Sequence, residues 1–284
     1  MVSTPQTTID GPRTHGTTRT ISASRGNTFA IYLTHQITRT SRGMLIWLVS
    51  LAAYGALIVA AFPSVKGTTD LESYPEALRD AFSLTTLDQI EPYLTGQILS
   101  YLPLVIAFIP IMLFSGALAG AEERGSLDVL LGTPLSRREL VLTTFLTGAF
   151  NLFVVLLGLA IGLWLTSLAV DAGLSIRKAL AGSLVAWPIG LAFGSVALLG
   201  SAVMRQRSRV LGLAIGLMFA MYALYVLSKL VDSLDWLKWL SAFHYYGAAV
   251  EDGVYWLGVA VLLATTAVLT VLAVLGFERR DIYT

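Results

Sequence analysis

Residues 141–170 read VLTTFLTGAFNLFVVLLGLAIGLWLTSLAV and contain no Asp, Glu, Lys, Arg or His. A helix needs about 20 predominantly apolar residues to cross the hydrocarbon core of a bilayer. This stretch therefore predicts a membrane-spanning helix. Because it is longer than that minimum, it favours a helix that is tilted or that continues past the membrane surface.

The same pattern recurs along the chain of 284 residues. Uncharged runs of similar character cover residues 44–62, 101–121, 179–204, 210–228 and 254–277. Only 13% of the residues are charged, whereas soluble domains carry about 25%. The sequence thus predicts an all-α integral membrane protein with six transmembrane helices. The absence of cysteine excludes disulfides and cysteine-ligated metal sites.

The composition changes twice ahead of the first span. Residues 1–27 are rich in Thr, Ser and Gly, which predicts a disordered cytoplasmic N-terminal tail. The six-helix transmembrane domain then covers residues 28–284. Within residues 28–42, apolar side chains recur on one helical face, at Phe29, Leu33 and Ile37. This spacing indicates an N-terminal interfacial helix on the membrane surface. The alternative is a plain helical extension of the first span.

Basic residues predict the orientation of the spans. With the N-terminus inside, the inner segments hold 13 of the 19 Lys and Arg residues and the outer segments hold 6. Because cytoplasmic loops carry an excess of basic residues, we expect a multi-pass protein of the plasma membrane with both termini cytoplasmic. The net charge of +1 gives no reason to expect a nucleic-acid partner.

Two outer segments have recognisable patterns. The long segment 63–100 contains YPEALRDAF, residues 74–82, which is typical of a short helix with Pro near its start. The segment DWLKWLSAFHYYG, residues 235–247, is amphipathic and aromatic. Trp and Tyr favour the headgroup level of a bilayer, so we expect an outer-leaflet helix here, in contact with membrane lipids. His244 lies in this segment, where packing is the expected role.

The six predicted spans contain no Asp, Glu, Lys, Arg or His. Ion-coupled carriers usually place such groups within the membrane, so the pattern disfavours that class. It does not exclude it, because Pro103, Pro110 and Pro188 could break helices and free backbone carbonyls for a coupling ion. A protein that serves as a membrane scaffold without transporting anything is another alternative. Neither HExxH nor GxSxG occurs, so we expect no catalytic, metal or cofactor site and no enzyme activity in this chain.

Glycine pairs at GxxxG spacing fall on four of the predicted spans. Such pairs let two helices approach closely, and this predicts a compact bundle. The pairs are Gly116–Gly120, Gly158–Gly162, Gly190–Gly194 and Gly212–Gly216.

Residues 122–140, EERGSLDVLLGTPLSRREL, form a polar island between the second and third spans. Leucines at helical spacing predict a short amphipathic cytoplasmic helix over 122–131, which Gly132 would end. Ser136 and Glu139 have the spacing of a capping box ahead of an apolar run, which predicts a capped start to the third span. The basic run RQRSR, residues 205–209, has two interpretations, contact with anionic headgroups or contact with a partner.

The run AEERGSLDVLLGTPLSRREL resembles the loop that is typical of ABC-2 type permeases, the membrane subunits of ATP-binding-cassette exporters. The aromatic segment before the last span and the closing GFERRDI are similar to that family as well. Ser126, Thr144 and Ala242 depart from its usual residues. The matching residues in the loop are Glu122, Glu123, Gly125, Ser126, Leu127, Asp128, Leu130, Leu131, Pro134, Ser136 and Arg137.

The resemblance implies a mechanism. Two permease copies, as a homodimer, would pair with two ABC ATPase subunits, and the short helix at 122–131 would be the coupling element that sits on the ATPase. ATP and magnesium would bind the partner ATPase and not this chain. The expected role is efflux transport by an exporter, and the sequence leaves the substrate open.

Overall fold

The computed structural model of the chain describes residues 25–65, 89–125, 136–247, 249–251 and 253–280. Every regular element in these ranges is helical. The α-helices are α1 (Arg25–Val65), α2 (Ile90–Leu94), α3 (Leu102–Ala117), α4 (Ala119–Glu123), α5 (Arg137–Ala169), α6 (Ile176–Leu184), α7 (Ala186–Val203), α8 (Arg207–Leu230) and α9 (Trp256–Arg279). A π-helical turn, Thr95–Leu99, continues α2, and two 3₁₀ helices, Asp232–Leu240 and Ala242–Tyr245, precede α9.

The prediction of an all-helical membrane protein is confirmed for the described ranges. Five helices are long and apolar enough to cross a membrane, and there are six if the second span is counted as one bent unit. In that unit, Ile90–Leu99 and Leu102–Ala117 meet at an angle of 42°. The fourth span combines α6 with α7, as Ile176–Val203. Residues 1–24 of the predicted N-terminal tail and the short helix expected over 74–82 lie outside the described residues, whereas residues 25–27 belong to α1.

The predicted interfacial helix over 28–42 is not a separate element. The structure has one continuous helix, Arg25–Val65, so the alternative of a helical extension is the correct description. The physical reason lies in the polar side chains of this segment, which find partners on α5. The Asn151 side-chain amide donates to Thr40 Oγ1 at 2.8 Å, and Thr147 Oγ1 donates to Gln36 Oε1 at 3.4 Å. The polar face of this segment therefore contacts a neighbouring helix.

Helices α1 and α5 form a parallel pair in a fixed register. Both of these hydrogen bonds join residues that are 111 positions apart. Further along, glycines of α5 lie directly against α1. A Cβ atom added at Gly158 would lie 2.7 Å from Leu48 Cγ, and one added at Gly162 would lie 3.3 Å from Ala52 Cβ. The two helices therefore approach closely over most of their shared length, as this GxxxG pair predicts.

Glycine also permits a close contact in the core of the bundle, where α7 meets α3. A Cβ atom added at Gly194 would lie 2.6 Å from Pro110 Cβ and 3.0 Å from the Phe114 ring. In contrast, Cβ atoms added at Gly212 and Gly216 on α8 would have no other atom within 4 Å in the described part of the chain. The GxxxG pattern thus marks close packing on α5 and α7, while the pair on α8 lies on an open face.

The aromatic outer segment is helical, as expected, but in the tighter 3₁₀ form. No side chain of Asp232–Leu240 is buried, and Trp236 and Trp239 are more than half exposed. The next turn anchors the segment, because Phe243 is buried against the rings of Phe193 and Tyr222 at 5.6 and 5.2 Å. Exposed Trp rings beside apolar helices suit the headgroup level of a bilayer.

His244 packs edge-on against two aromatic rings of this segment, those of Trp239 and Tyr245. Burial and the neighbouring Lys238 ammonium lower the pKa of His244, so the ring is neutral at pH 7. The contacts agree with the expected packing role.

Replacing Gly194 by leucine should destabilise the fold, because the new side chain would overlap Pro110 and Phe114. Overpacking of this kind costs about 1–3 kcal/mol. Gly43→Leu is the matched control, since it makes the same change on an open face of α1. Thermal unfolding of the purified protein in detergent, followed by tryptophan fluorescence, measures both. Equal Tm values for the two variants would contradict the packing described for α7.

Candidate functional site

The polar island that stands out in the sequence lies where the ends of several helices meet. Its described parts are residues 122–125 and 136–140, which flank the segment that the structure does not describe. Glu122 and Glu123 form the last turn of α4, and Arg124 and Gly125 leave it in a turn. Gly125 has φ +63°, a left-handed conformation that suits glycine.

This geometry corrects the predicted start of the helix over 122–131, whose residues 126–131 lie outside the described ranges. The two glutamates end a helix that begins at Ala119, and they do not begin a new one. The leucine spacing gave no sign of this, because the break depends on the backbone conformation at Gly125. Six of the predicted coupling residues lie outside the described ranges: Ser126, Leu127, Asp128, Leu130, Leu131 and Pro134.

Glu122 is the centre of a charge cluster at this end of the bundle. One carboxylate oxygen, Oε2, accepts a hydrogen bond from Arg280 Nη2 at 2.7 Å, and the other lies 3.5 Å from Arg205 Nε. The Arg280 side chain is only 11% exposed, so solvent screens this pair less than a surface pair. Glu122 therefore ties α4 both to the end of α9 and to the α7–α8 turn.

Glu123 makes a second connection to the same turn. Its Oε1 accepts a hydrogen bond at 2.8 Å from the backbone N–H of Arg207, the first residue of α8. Carboxylates are stabilising at helix N-termini, where backbone N–H groups lack partners within the helix. The Arg207 side chain then runs along α3 and α4 beside Gly116 and Gly120. This GxxxG pair makes room for an arginine and not for another helix.

The start of α5 has the predicted capping box. The Glu139 side chain accepts from the backbone N–H of Ser136 at 2.7 Å, and Ser136 Oγ accepts from the Glu139 N–H at 3.3 Å. This reciprocal pair fixes where α5 begins. The capping prediction is confirmed because it depends only on residues three positions apart.

Arg137 follows the cap and holds the end of α9. Its Nη1 donates to the carbonyl oxygens of Phe277, Glu278 and Arg280 at 3.3, 3.4 and 2.8 Å. Carbonyls at a helix C-terminus lack partners within the helix, and a cation there is favourable. The neighbouring Arg138 pairs with the Glu278 carboxylate.

Both flanks of the undescribed segment thus meet at one residue, Arg280. Its side chain binds Glu122 on one flank, and its carbonyl oxygen accepts from Arg137 on the other. The structure brings together four of the predicted site residues, Glu122, Glu123, Ser136 and Arg137, and it adds three residues that the sequence argument did not assign to the site. These are Arg205, Arg207 and Arg280. The available signal was charge complementarity between the EER, RQRSR and FERR runs.

Within the described ranges no group of three His, Asp or Glu side chains could hold a metal ion. The cluster is made of arginine–carboxylate pairs and helix caps. Its hydrogen bonds and ion pairs hold the ends of the helices together.

Comparison with known protein families gives a match over most of the chain. Residues 35–278 match the protein family described as "Multidrug efflux system permease Rv1217c, C-terminal domain". The match covers most of the chain, including both flanks of the cluster. No curated protein matches the chain.

Removing the Arg280 side chain should destabilise the bundle, because Glu122 would lose its closest partner. A hydrogen bond to a charged group contributes about 1.5–3 kcal/mol, and partial exposure places the expected loss toward the lower figure. Arg279→Ala is the matched control, since Arg279 is exposed. Thermal unfolding in detergent compares Arg280→Ala with this control, and equal losses in the two variants would refute the role of Arg280.

Proposed function

The chain belongs to the family of the multidrug efflux system permease Rv1217c C-terminal domain, and we propose that it is the membrane-spanning permease subunit of an ABC exporter. A separate ATPase subunit would hydrolyse ATP, with magnesium, and this chain would carry the substrate across the plasma membrane. The observation that carries the proposal is the attachment of both flanks of residues 126–135 to one cluster of helix ends.

The composition of the predicted spans favours a source of energy outside the membrane, such as a partner ATPase. The predicted spans hold no Asp, Glu, Lys, Arg or His, so they lack the side chains that coupled carriers usually use in proton relays. In an exporter of this kind, work enters through a contact outside the membrane. The polar island and its cluster form the densest group of charges next to the apolar helices, which makes this end the best candidate for that contact.

The cluster would convert a local push into movement of several helices. An ATPase that presses on residues 126–135 would load α4 through Glu122 and Glu123 and α5 through Ser136 and Arg137. Arg280 links both flanks to the end of α9. The helix ends would therefore shift together and not one at a time. The loop residues that resemble ABC-2 type permeases, Glu122 to Arg137, are the proposed coupling residues.

The proposal includes a second permease copy and a fixed orientation. The end that carries the cluster would be cytoplasmic, in line with the excess of basic residues on that side. An open face of α8, with Gly212 and Gly216, supports a helix–helix contact with another copy. Two copies with two ATPase subunits would make the complete exporter.

The coupling role is tested by forcing strain on Gly125. A β-branched residue at φ +63° costs about 1–2 kcal/mol of backbone strain and would displace the end of α4. In Gly125→Val we expect ATP-driven efflux of the neutral dye Nile red to fall about tenfold, while the ATPase activity of the purified complex persists. Gly173→Val is the control, because Gly173 also has positive φ but lies between α5 and α6, at the other end of α5 from Arg137.

Two results would count against the exporter proposal. One is dye efflux that continues without any ATPase subunit but stops when the ion gradient is collapsed, which would indicate a coupled carrier. The other is purification of the full chain from its host without an ATPase, which would indicate a scaffold. Equal coupling in the two glycine variants would leave an exporter but would remove Gly125 from the coupling element.

A further inference from the structure

A cleft of about 340 Å³ lies between α1 and the broken second span. It opens where the π-helical turn Thr95–Leu99 gives way to α3. Since Arg137 and the helix ends of the cluster lie at the other end of α3, the cleft and the cluster are separated by the length of that helix. Residues from both elements line it: Trp47, Ser50, Leu51, Tyr54, Gln97, Ile98, Tyr101, Leu102 and Val105.

The lining combines apolar surface with polar groups that have no hydrogen-bond partner among the described residues. The side chains of Trp47, Ser50, Tyr54, Gln97 and Tyr101 make no hydrogen bond to any described residue, although each has a donor. None of the lining residues is charged. The cleft is therefore an uncharged pocket with several free hydrogen-bonding groups on aromatic and amide side chains.

In contrast to these side chains, backbone carbonyl groups at the break do have hydrogen-bond donors. The Leu99 carbonyl accepts from the Tyr246 hydroxyl at 3.0 Å, and the Thr95 carbonyl accepts from Ser100 Oγ at 2.7 Å. In a membrane, backbone freed by a break must find such partners. The break is thus a built feature, and short π segments are frequent at functional sites.

Free polar groups beside hydrocarbon are costly, since lipid chains cannot pair with them. A molecule that offers hydrogen-bonding groups together with apolar or aromatic surface would satisfy them. A charged molecule would gain no opposite charge in the lining. The volume of about 340 Å³ lies at the small end of the range for ligand pockets, about 300–1,000 Å³.

We infer that this cleft binds an uncharged amphiphilic molecule with a hydroxyl, carbonyl or amide group and an aromatic or branched apolar body. The Gln97 amide, on the π-helical turn, and the hydroxyl groups of Tyr54 and Tyr101 recognise the polar group. Trp47 and the aliphatic lining contact the apolar body. The inference rests on the proposed function for one point only, that such molecules are the exported substrates.

Photolabelling of the full-length chain in lipid nanodiscs tests the cleft without any ATPase. The probe is a trifluoromethyl-phenyldiazirine with a benzylic hydroxyl, and the reference probe is the same diazirine without that hydroxyl. We expect adducts of the alcohol to concentrate in residues 47–54 and 97–105, as mapped by mass spectrometry of peptides. The reference probe should label all lipid-facing helices more evenly. Equal patterns for the two probes would show lipid partitioning and overturn the inference.

Two variants sharpen the test. Gln97→Leu keeps the size of the side chain but removes its hydrogen-bonding groups, so adducts of the alcohol in the cleft should fall about 3–10-fold. Ser50→Phe should fill the cleft and have the same effect. The control is Ala53→Phe, which adds the same ring at an exposed position of α1 outside the lining. Unchanged labelling in Gln97→Leu would also overturn the inference, whether or not Ser50→Phe folds.

The outcome is separate from that of the export assay. Labelling as expected, with no ATP-driven efflux, would refute the exporter proposal and leave the cleft as a binding site. ATP-driven efflux with evenly spread labelling would support the exporter and refute the cleft.

Discussion

The hydrogen bond between Glu122 and Arg280 closes a loop of more than half the chain. It joins residues 158 positions apart, and the neighbouring contacts of Arg137 and Arg207 attach α5, α8 and α9 to the same point. Membrane helices gain little from the hydrophobic effect when they pack, since lipid is as apolar as they are. Directional bonds at the helix ends therefore help to decide which ends are neighbours, and they do so where water can still solvate the outer charges.

Within the bundle a different constraint applies. Small residues bring the helices together here, and Gly158, Gly162 and Gly194 allow contacts that an added Cβ atom would crowd. Polar side chains pair between α1 and α5 in the same region. The cleft at the broken span departs from both rules, because its polar groups are neither paired nor absent. The fold satisfies the backbone groups at the break but leaves these side chains without hydrogen bonds to described residues. A ligand in the cleft would therefore gain binding free energy by pairing with them.

The sequence predicted what depends on local pattern. Uncharged runs located the spans, and three-residue spacing located the cap at Ser136. The prediction of a separate interfacial helix over 28–42 was wrong. Periodicity shows that a helix has a polar face, but it does not show whether water, lipid headgroups or another helix will contact that face, as Thr147 contacts Gln36. It also missed Arg280, since a pairing across 158 positions leaves no periodic trace. The break after Glu123 escaped it because leucine spacing is indifferent to the φ angle of Gly125.

The fixed register of α1 on α5 restricts how this chain can vary. One residue inserted between Thr40 and Leu48 would rotate the rest of α1 by about 100° and turn Leu48 and Ala52 away from the glycines that receive them. The hydrogen bonds on the other side of the insertion would stay in place, so the helix could not re-adjust as a whole. Related sequences should accumulate length differences in the connecting segments and should keep the distance between Thr40 and Leu48 constant.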